Sequence, residues 1–546
     1  MRTLRVLTMA LVLAGAAGAA GAATLEMANF APSDSKAVIE TDNAAQLRQT
    51  LLESKFWDAL KQTQGFKDWH ASQRYLEMQE RLDQFLANLK MTKEDALKAY
   101  LGGRSAVVLL PSGQQKPWGV ILTECTFENA KRLVEATGAQ QVATRRGVAI
   151  FEVQKDNRLD RMAYVRQGGD TAVFIATSAG GNALERVLDV MVAEGPSVPA
   201  GPSLGTEGHF QKAIEGLPGD WRMRAYAAET PPRKSPGAVA MYPEPGGRKG
   251  RIHFEWQIVS GESDISMTAP VVLTGPQALP DKAVAAVASS FHPAAIWNYV
   301  KAKATAQGAA ALEGLSRSEM FIRGWFPGQT MDKIVGAFGP EAALAILKGD
   351  SGGAPSLLAM VRVKEGGAAV AKSFKDGLAA KAMLLMGLAA QNEKAPKINV
   401  REEAYKDAQL LIIEAPGVLD KFVGNWAKDI ALTVAVTDKW VIIGTTPAGV
   451  KATLDTASGN GAGSLAAAAG EPVPATPLTR WGTIMPDKGA DIVLGAAERV
   501  AGTARVEEAK KLTNLAEVMK LIKRLTWTRV DKPTVIHGQA DIQAIE

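Results

Sequence analysis

Two stretches of the chain carry the same order of polar and apolar positions. The first reads "DALKAYLGGRSAVVLLPS", from Asp95 to Ser112, and the second "DKIVGAFGPEAALAILKG", from Asp332 to Gly349. Laid in register, Asp95 meets Asp332, Leu101 meets Phe338, Gly102 meets Gly339, Ala106 meets Ala343 and Leu110 meets Leu347. Each stretch predicts a short helix, a glycine break and an apolar strand.

The same order continues downstream of both. Apolar strands are predicted over Gly119 to Glu124 and Leu357 to Lys364, followed by amphipathic helices over Phe127 to Ala136 and Ala368 to Ala380. Hairpins follow, "VATRRGVAIFEV" from Val142 and "VREEAYKDAQLLIIEA" from Val400. "MAYVRQGGDTAVFIATSAGG", from Met162, then matches "IALTVAVTDKWVIIGTTPAG", from Ile430, and each leads into a helix, Ala179 to Ala193 and Pro447 to Ala457. Pro447 stands where a first-turn proline is tolerated. Near the two ends, "RIHFEWQI" (Arg251 to Ile258) matches "VIHGQADI" (Val535 to Ile542), aligning His253 with His537.

The pattern therefore predicts an α+β protein of two related domains, each a mainly antiparallel sheet with packed helices. The expected division is 24–280 and 281–546, with the boundary near Gly275 to Val284. The first domain carries an extra helical region over 56–100. There Tyr75, Met78, Leu82, Phe85 and Leu89 make one apolar stripe among Arg74, Glu77, Glu80 and Arg81. A long loop or hairpin excursion is expected over 229–250, rich in Pro, Gly and basic residues, and a flexible connector over 457–477.

The first residues add an address. Arg2 and Arg5 precede an apolar run from Val6 to Ala14 and a small-residue tract to Ala23, with Ala20-Gly21-Ala22 as a cleavage site. Residues 1–23 are expected to be a signal peptide, which implies a periplasmic or extracellular protein. Loss of Arg2 and Arg5 lowers the formal charge from +5 to +3, and no basic block remains to track a phosphate backbone, so nucleic acid is not an expected partner. Cys125 is the single cysteine, which rules out an intrachain disulfide. It closes an apolar strand, where a buried, inert thiol is expected.

Motifs for chemistry do not hold up in context. Gly201-Pro202-Ser203-Leu204-Gly205 fits the G-x-S-x-G elbow, yet prolines stand where the preceding strand is required. Ser33-Asp34-Ser35-Lys36 fits S-x-x-K without its K-T-G or S-D-N companions. Gly459, Gly461 and Gly463 follow a helix, whereas a dinucleotide loop follows a strand. The five histidines, His70, His209, His253, His292 and His537, show no metal-ligand spacing, so no metal and no cofactor is expected. His253 and His537, with Glu255 and Asp541 near them, read as strand-surface histidines with same-face carboxylates. Trp221, Trp256, Trp325, Trp440, Trp481 and Trp527 read as strand residues packing a core or sheet face. The apolar run Ala382 to Ala390 is too short to span a bilayer and reads as part of a buried helix, so no integral span is expected after cleavage.

The leader, the opening "SKAVIETDNAAQLRQTLLES" with Phe56-Trp57 after it, and the repeated strand–helix pattern resemble exported bacterial proteins grouped only as a domain of unknown function. "KAVAAVASSFHPAAIWNYVKAKA", from Lys282, is the second half's version of that opening. The resemblance implies export and no defined activity. The functional expectation is a non-enzymatic protein binding or scaffolding in the cell envelope through an unidentified envelope protein or ligand. A hydrolase without a recognisable motif and a carrier of an apolar ligand are the alternatives.

Overall fold

The computed structural model describes residues 26–112, 117–155, 158–177, 181–193, 200–230, 235–243, 251–260, 268–349, 353–391, 397–416, 424–459, 463–468, 473–501 and 505–544. The expected signal peptide lies outside the described residues. In chain order the first strands are β1 (Ala37–Thr41), β2 (Ser105–Leu110), β3 (Trp118–Thr126), β4 (Gln140–Arg145), β5 (Val148–Lys155), β6 (Arg158–Gly168), β7 (Thr171–Thr177), β8 (Met223–Thr230), β9 (Ser235–Pro243) and β10 (Arg251–Val259). They are followed by β11 (Ala283–Ser290), β12 (Phe338–Leu347), β13 (Ser356–Val363), β14 (Asn399–Tyr405), β15 (Ala408–Glu414), β16 (Leu432–Val436), β17 (Trp440–Gly444), β18 (Arg480–Ile484), β19 (Ile522–Asp531) and β20 (Val535–Ala544).

The first compact unit ends at Glu262 and takes back the chain from Thr534; the second runs from Ser263 to Pro533. Gly275 to Val284, where the sequence suggests a boundary, lies inside the second unit. It forms the short helix Gly275–Ala278, with Leu279 buried in the core. In the first unit the strands pair in the order β4-β5-β6-β7-β3-β2-β1-β8-β9-β10-β20, all antiparallel. In the second the order is β14-β15-β16-β17-β13-β12-β11-β18-β19, again antiparallel. The second order repeats the first nine strands of the first, β4 to β9, while β10 and β20 have no counterpart among its described strands; the α+β class read from the sequence holds.

Local chemistry explains the repeated pieces. The β4–β5 hairpin turns on Arg146 and Gly147, both left-handed (φ 48° and 77°), as a tight two-residue turn requires. The β14–β15 hairpin turns at the same place, with Lys406 left-handed between the paired Tyr405 and Ala408. Both outer strands carry exposed polar and charged residues along their free edge, Gln140, Gln141, Thr144 and Arg145 on β4 and Asn399, Arg401 and Glu402 on β14. Thr92 and Thr330 accept from the amides of Asp95 and Lys333, capping helices Lys93–Leu101 and Met331–Ala337. Thr126 caps Phe127–Thr137, and Thr446, followed by Pro447, caps Pro447–Ser458.

Helices cover both faces of each sheet. In the first unit Leu184, Val187 and Leu188 of helix Ala183–Met191 and Phe210 of helix Gly208–Ile214 pack on Val38, Val108, Leu122 and Ile175. Ala130 and Val134 of helix Phe127–Thr137 cover Ala172 and Phe174 on the other face. In the second unit Val450 and Leu454 of helix Pro447–Ser458 pack on Leu358, Met360, Leu410 and Ile442. Ala371 and Ala379 of helix Ala368–Ala390 lie over Val363, Leu411, Val434 and Val441.

One core position is solved differently in the two units. Glu40 on β1 pairs across to Arg224 on β8, and the Arg224 Nη2 donates to Glu40 Oε2 at 2.8 Å with both side chains buried. The matching β11–β18 pair is Ala288 and Trp481, also buried.

Several expectations need correcting. The helical region over 56–100 forms helices Lys55–Gln62, Gln64–His70, Gln73–Leu89 and Lys93–Leu101, but it is not an addition to the first unit alone. Between β11 and β12 the second unit places Pro293–Gln307, Ala309–Arg323 and Met331–Ala337. Of the long loop or hairpin excursion expected over 229–250, the described part is strand, not loop: β9 pairs back on β8 as a hairpin and also with β10. The expected flexible connector over 457–477 is packed over part of its described length. Ser464 bridges to Pro280, and Leu465 of the short helix Leu465–Ala468 is fully buried. Its alanines suit a tight core as well as a loose linker.

Candidate functional site

The structure brings the two serine motifs together without making a catalytic group of either. Pro32 and Ser203 form a bridge, and the Ser33 amide donates to the Pro202 carbonyl. Ser203 is buried and precedes the short 3-10 helix Leu204–Thr206, with its Oγ 3.5 Å from Thr206 Oγ1. Among the described residues around Ser203 there is no long helix after it to make the strand–turn–helix that exposes a nucleophile. Gly459 ends helix Pro447–Ser458, and Gly461 lies outside the described residues. Among the described residues no three His, Cys, Asp or Glu side chains are arranged to hold a metal ion.

Cys125 sits on β3 opposite Ala172, buried; burial first, then the Glu124 carboxylate, pushes its thiol up to about 12. The thiolate fraction at neutral pH is negligible. Iodoacetamide is therefore expected to leave Cys125 unmodified in the native protein and to modify it fully in denaturant, as read by intact mass. Rapid native alkylation would contradict the packing.

His253 and His537 fall on neighbouring strands of the first unit, β10 and β20. His253 Nδ1 meets Asp541 Oδ1 at 2.8 Å, and its Nε2 meets Glu255 Oε1 at 3.3 Å. His537 Nε2 lies 3.3 Å from Glu255 Oε2, and the Tyr242 ring stands 6.0 Å from that of His253. The hydrogen bond that His253 donates to Asp541 raises the His253 pKa above its ordinary value, against desolvation and helped by Glu255. With a carboxylate at each nitrogen, the imidazolium is the matched form. Such a ring has no free nitrogen for general-base work; it is a charged clasp between two strands.

That clasp makes stability depend on pH. A histidine whose folded pKa exceeds its unfolded value, about 6.5, contributes fully below that value and loses its contribution as pH rises through the folded pKa. Thermal unfolding of the first unit is expected to fall across that window on the alkaline side of about 6.5. His253→Gln should remove the slope; an unchanged slope would show that another group carries it.

The tryptophans divide by place. Trp440 and Trp481 are core residues of the second unit, and Trp256 and Trp527 lie on strands. Trp221 precedes β8, where the Arg224 guanidinium stands 4.7 Å from its ring. Trp325 is not on a strand, as its neighbours suggested. It lies in the turn after helix Ala309–Arg323, where the Trp325 amide donates to Ile322.

The second unit exposes apolar surface where the sequence suggests burial. Helix Ala368–Ala390 is buried along its first half and bare over its last turns: Leu384 is 64 % exposed, and Met383, Leu385 and Leu388 each more than half. Lys381 marks the transition. Its Nζ donates to the Gly324 carbonyl at 2.6 Å and stands 3.7 Å from the Trp325 ring centre. Trp325 in turn meets Phe321 edge to face at 6.2 Å, and Phe321 and Met320 are 70 % and 63 % exposed. Burying a large apolar side chain is worth roughly 1.5 to 3 kcal/mol. Leaving these residues half in water forgoes a gain on the order of 5 kcal/mol.

A smaller bare patch lies on the sheet. Leu344, Ile346 and Leu357 are exposed on β12 and β13, whereas Val107 of β2, matched to Leu344, is buried under Leu97 and Leu101.

The sequence signal for the helix end was present in Ala382 to Ala390, which has no polar face. What hid its meaning is that a helix apolar all round is usually buried. No helix among the described residues is long and apolar enough to cross a membrane. Compared with protein-family models, with curated proteins and with solved structures, the chain matches none.

Proposed function

We propose that the chain is an exported, non-catalytic protein that binds or scaffolds in the cell envelope, built from two copies of one α+β unit. The apolar helix end of the second unit, with Phe321 and Met320 beside it, is the contact surface. The observation that carries this reading is that end's exposure over consecutive residues, Met383 to Leu388. Contiguous exposed apolar surface of this kind marks an interaction site.

Four further points support it. The leader composition favours export. The two units share one strand order, and matched segments such as Asp95 to Ser112 and Asp332 to Gly349 fall on matched elements, which favours duplication. The reactive candidates, Ser203, Cys125 and His253, are each packed or engaged, which favours binding over hydrolysis. A protruding helix end offers surface outward instead of enclosing a small molecule, which favours contact over carriage.

The test places a photo-crosslinking residue at Leu385 and, as control, at the exposed Gln141 of β4, in full chain expressed in a bacterial host. Expected are recovery with the envelope and adducts from position 385 alone. Recovery in the cytoplasm, or equal adduct yields from both positions, would overturn the proposal.

A further inference from the structure

The helix end has a property that decides what can cover it. Successive helical residues point 100° apart, so Met383, Leu384, Leu385 and Met386 together face every direction, and all four are exposed. A protein groove takes one side of a helix, through positions three and four apart. An end that is apolar and open on all sides fits a medium that surrounds it.

Length and flanks agree with one such medium. No charged residue stands between Lys381 and Gln391, and the nine residues 382–390 rise about 13 Å; Glu393 and Lys394 follow directly, so the end cannot run tip-first into hydrocarbon without carrying both charges with it. A short apolar stretch with polar flanks at both ends lies in the plane of the interface, its side chains reaching about 5 to 10 Å into the headgroup and acyl boundary. At the base of the end stand Lys381 against Trp325, and the exposed Arg323. An amphipathic aromatic ring and basic side chains at one level are the residues that settle at the headgroup layer. Phe321 and Met320, held beside them through Trp325, add apolar side chains at the same level.

We infer that the second unit docks on a lipid bilayer of anionic headgroups, with residues 382–390 lying along the interface, their exposed apolar side chains in the hydrocarbon edge of one leaflet, and Lys381, Arg323 and Trp325 resting at the headgroups. This rests on the envelope-binding reading and names its target. The contact is monotopic: the end lies along one leaflet and does not span.

The test uses purified full chain and vesicles of phosphatidylglycerol mixed with phosphatidylcholine, read by co-sedimentation. The pair Leu384→Asp and Leu388→Asp should lower the vesicle-bound fraction by about a hundredfold, because each carboxylate must be carried into hydrocarbon. Both positions are exposed, so the thermal unfolding of the variant should match the parent. A polarity-sensitive dye on Leu385→Cys should shift to the blue when vesicles are added; Cys125, buried, does not compete for the label. Equal binding by parent and double variant would overturn the inference, as would a parent that stays in the supernatant. A parent that forms dimers which the double variant dissolves, without binding vesicles, would replace the bilayer by a second copy. Crosslinks from position 385 to an envelope protein in cells, with no vesicle binding, would sink the lipid target and leave envelope binding standing.

Discussion

Replacing Arg224 by methionine is expected to cost the first unit about 3 to 5 kcal/mol, because it leaves the Glu40 carboxylate buried without its partner. Glu40 is 2 % exposed, and burial outweighs the guanidinium, holding its carboxyl above the ordinary range even in the intact pair. Arg224 is fixed from both sides, with its guanidinium 4.7 Å from the Trp221 ring and 5.5 Å from the Phe210 ring. The paired change Glu40→Leu with Arg224→Met should be close to neutral or stabilising, since it removes both desolvation costs together. The second unit already shows an uncharged solution at this place, with Ala288 and Trp481 across the same strand pair. Calorimetry of the single and double variants checks the prediction. A single variant as stable as the parent would mean the pair is solvated.

At the matching position of the second unit, Trp481→Ala is expected to cost about 3 to 5 kcal/mol through the cavity it leaves. Trp481 is 4 % exposed and belongs to the cluster that joins Ala288, Met360, Ile442 and Val450. The β18 ladder cannot close the gap by sliding, because Gly482 next to it faces Trp527, whose ring would meet any added Cβ within 2.1 Å. Chemical denaturation followed by hydrogen exchange should show lost protection in β11, β12 and β18, with β1, β2 and β8 unchanged. Loss in both sets would mean that the units unfold as one.

The sequence by itself determined what depends on neighbours in the chain. The α+β class, the helix after β3 and the hairpins at Arg146 and Lys406 follow from period, capping hydroxyls and turn residues, all read within a few positions. Same-face carboxylates near His253 were legible because strand residues alternate. The His253–Asp541 bond was not, since it needs β20 to return to β10 from the far end of the chain. Only the tertiary structure decided what lies opposite each apolar residue. Val107 and Leu344 look alike in sequence, yet the first is covered by Leu101 and the second faces solvent. Glu40 shows no sign in sequence of the arginine that its burial demands. Ala382 to Ala390 read as core because apolar runs usually find a partner. The fold carried that helix past the sheet it packs on, so its end is exposed. Burial is set by what packs across from a residue, and local pattern does not contain that information.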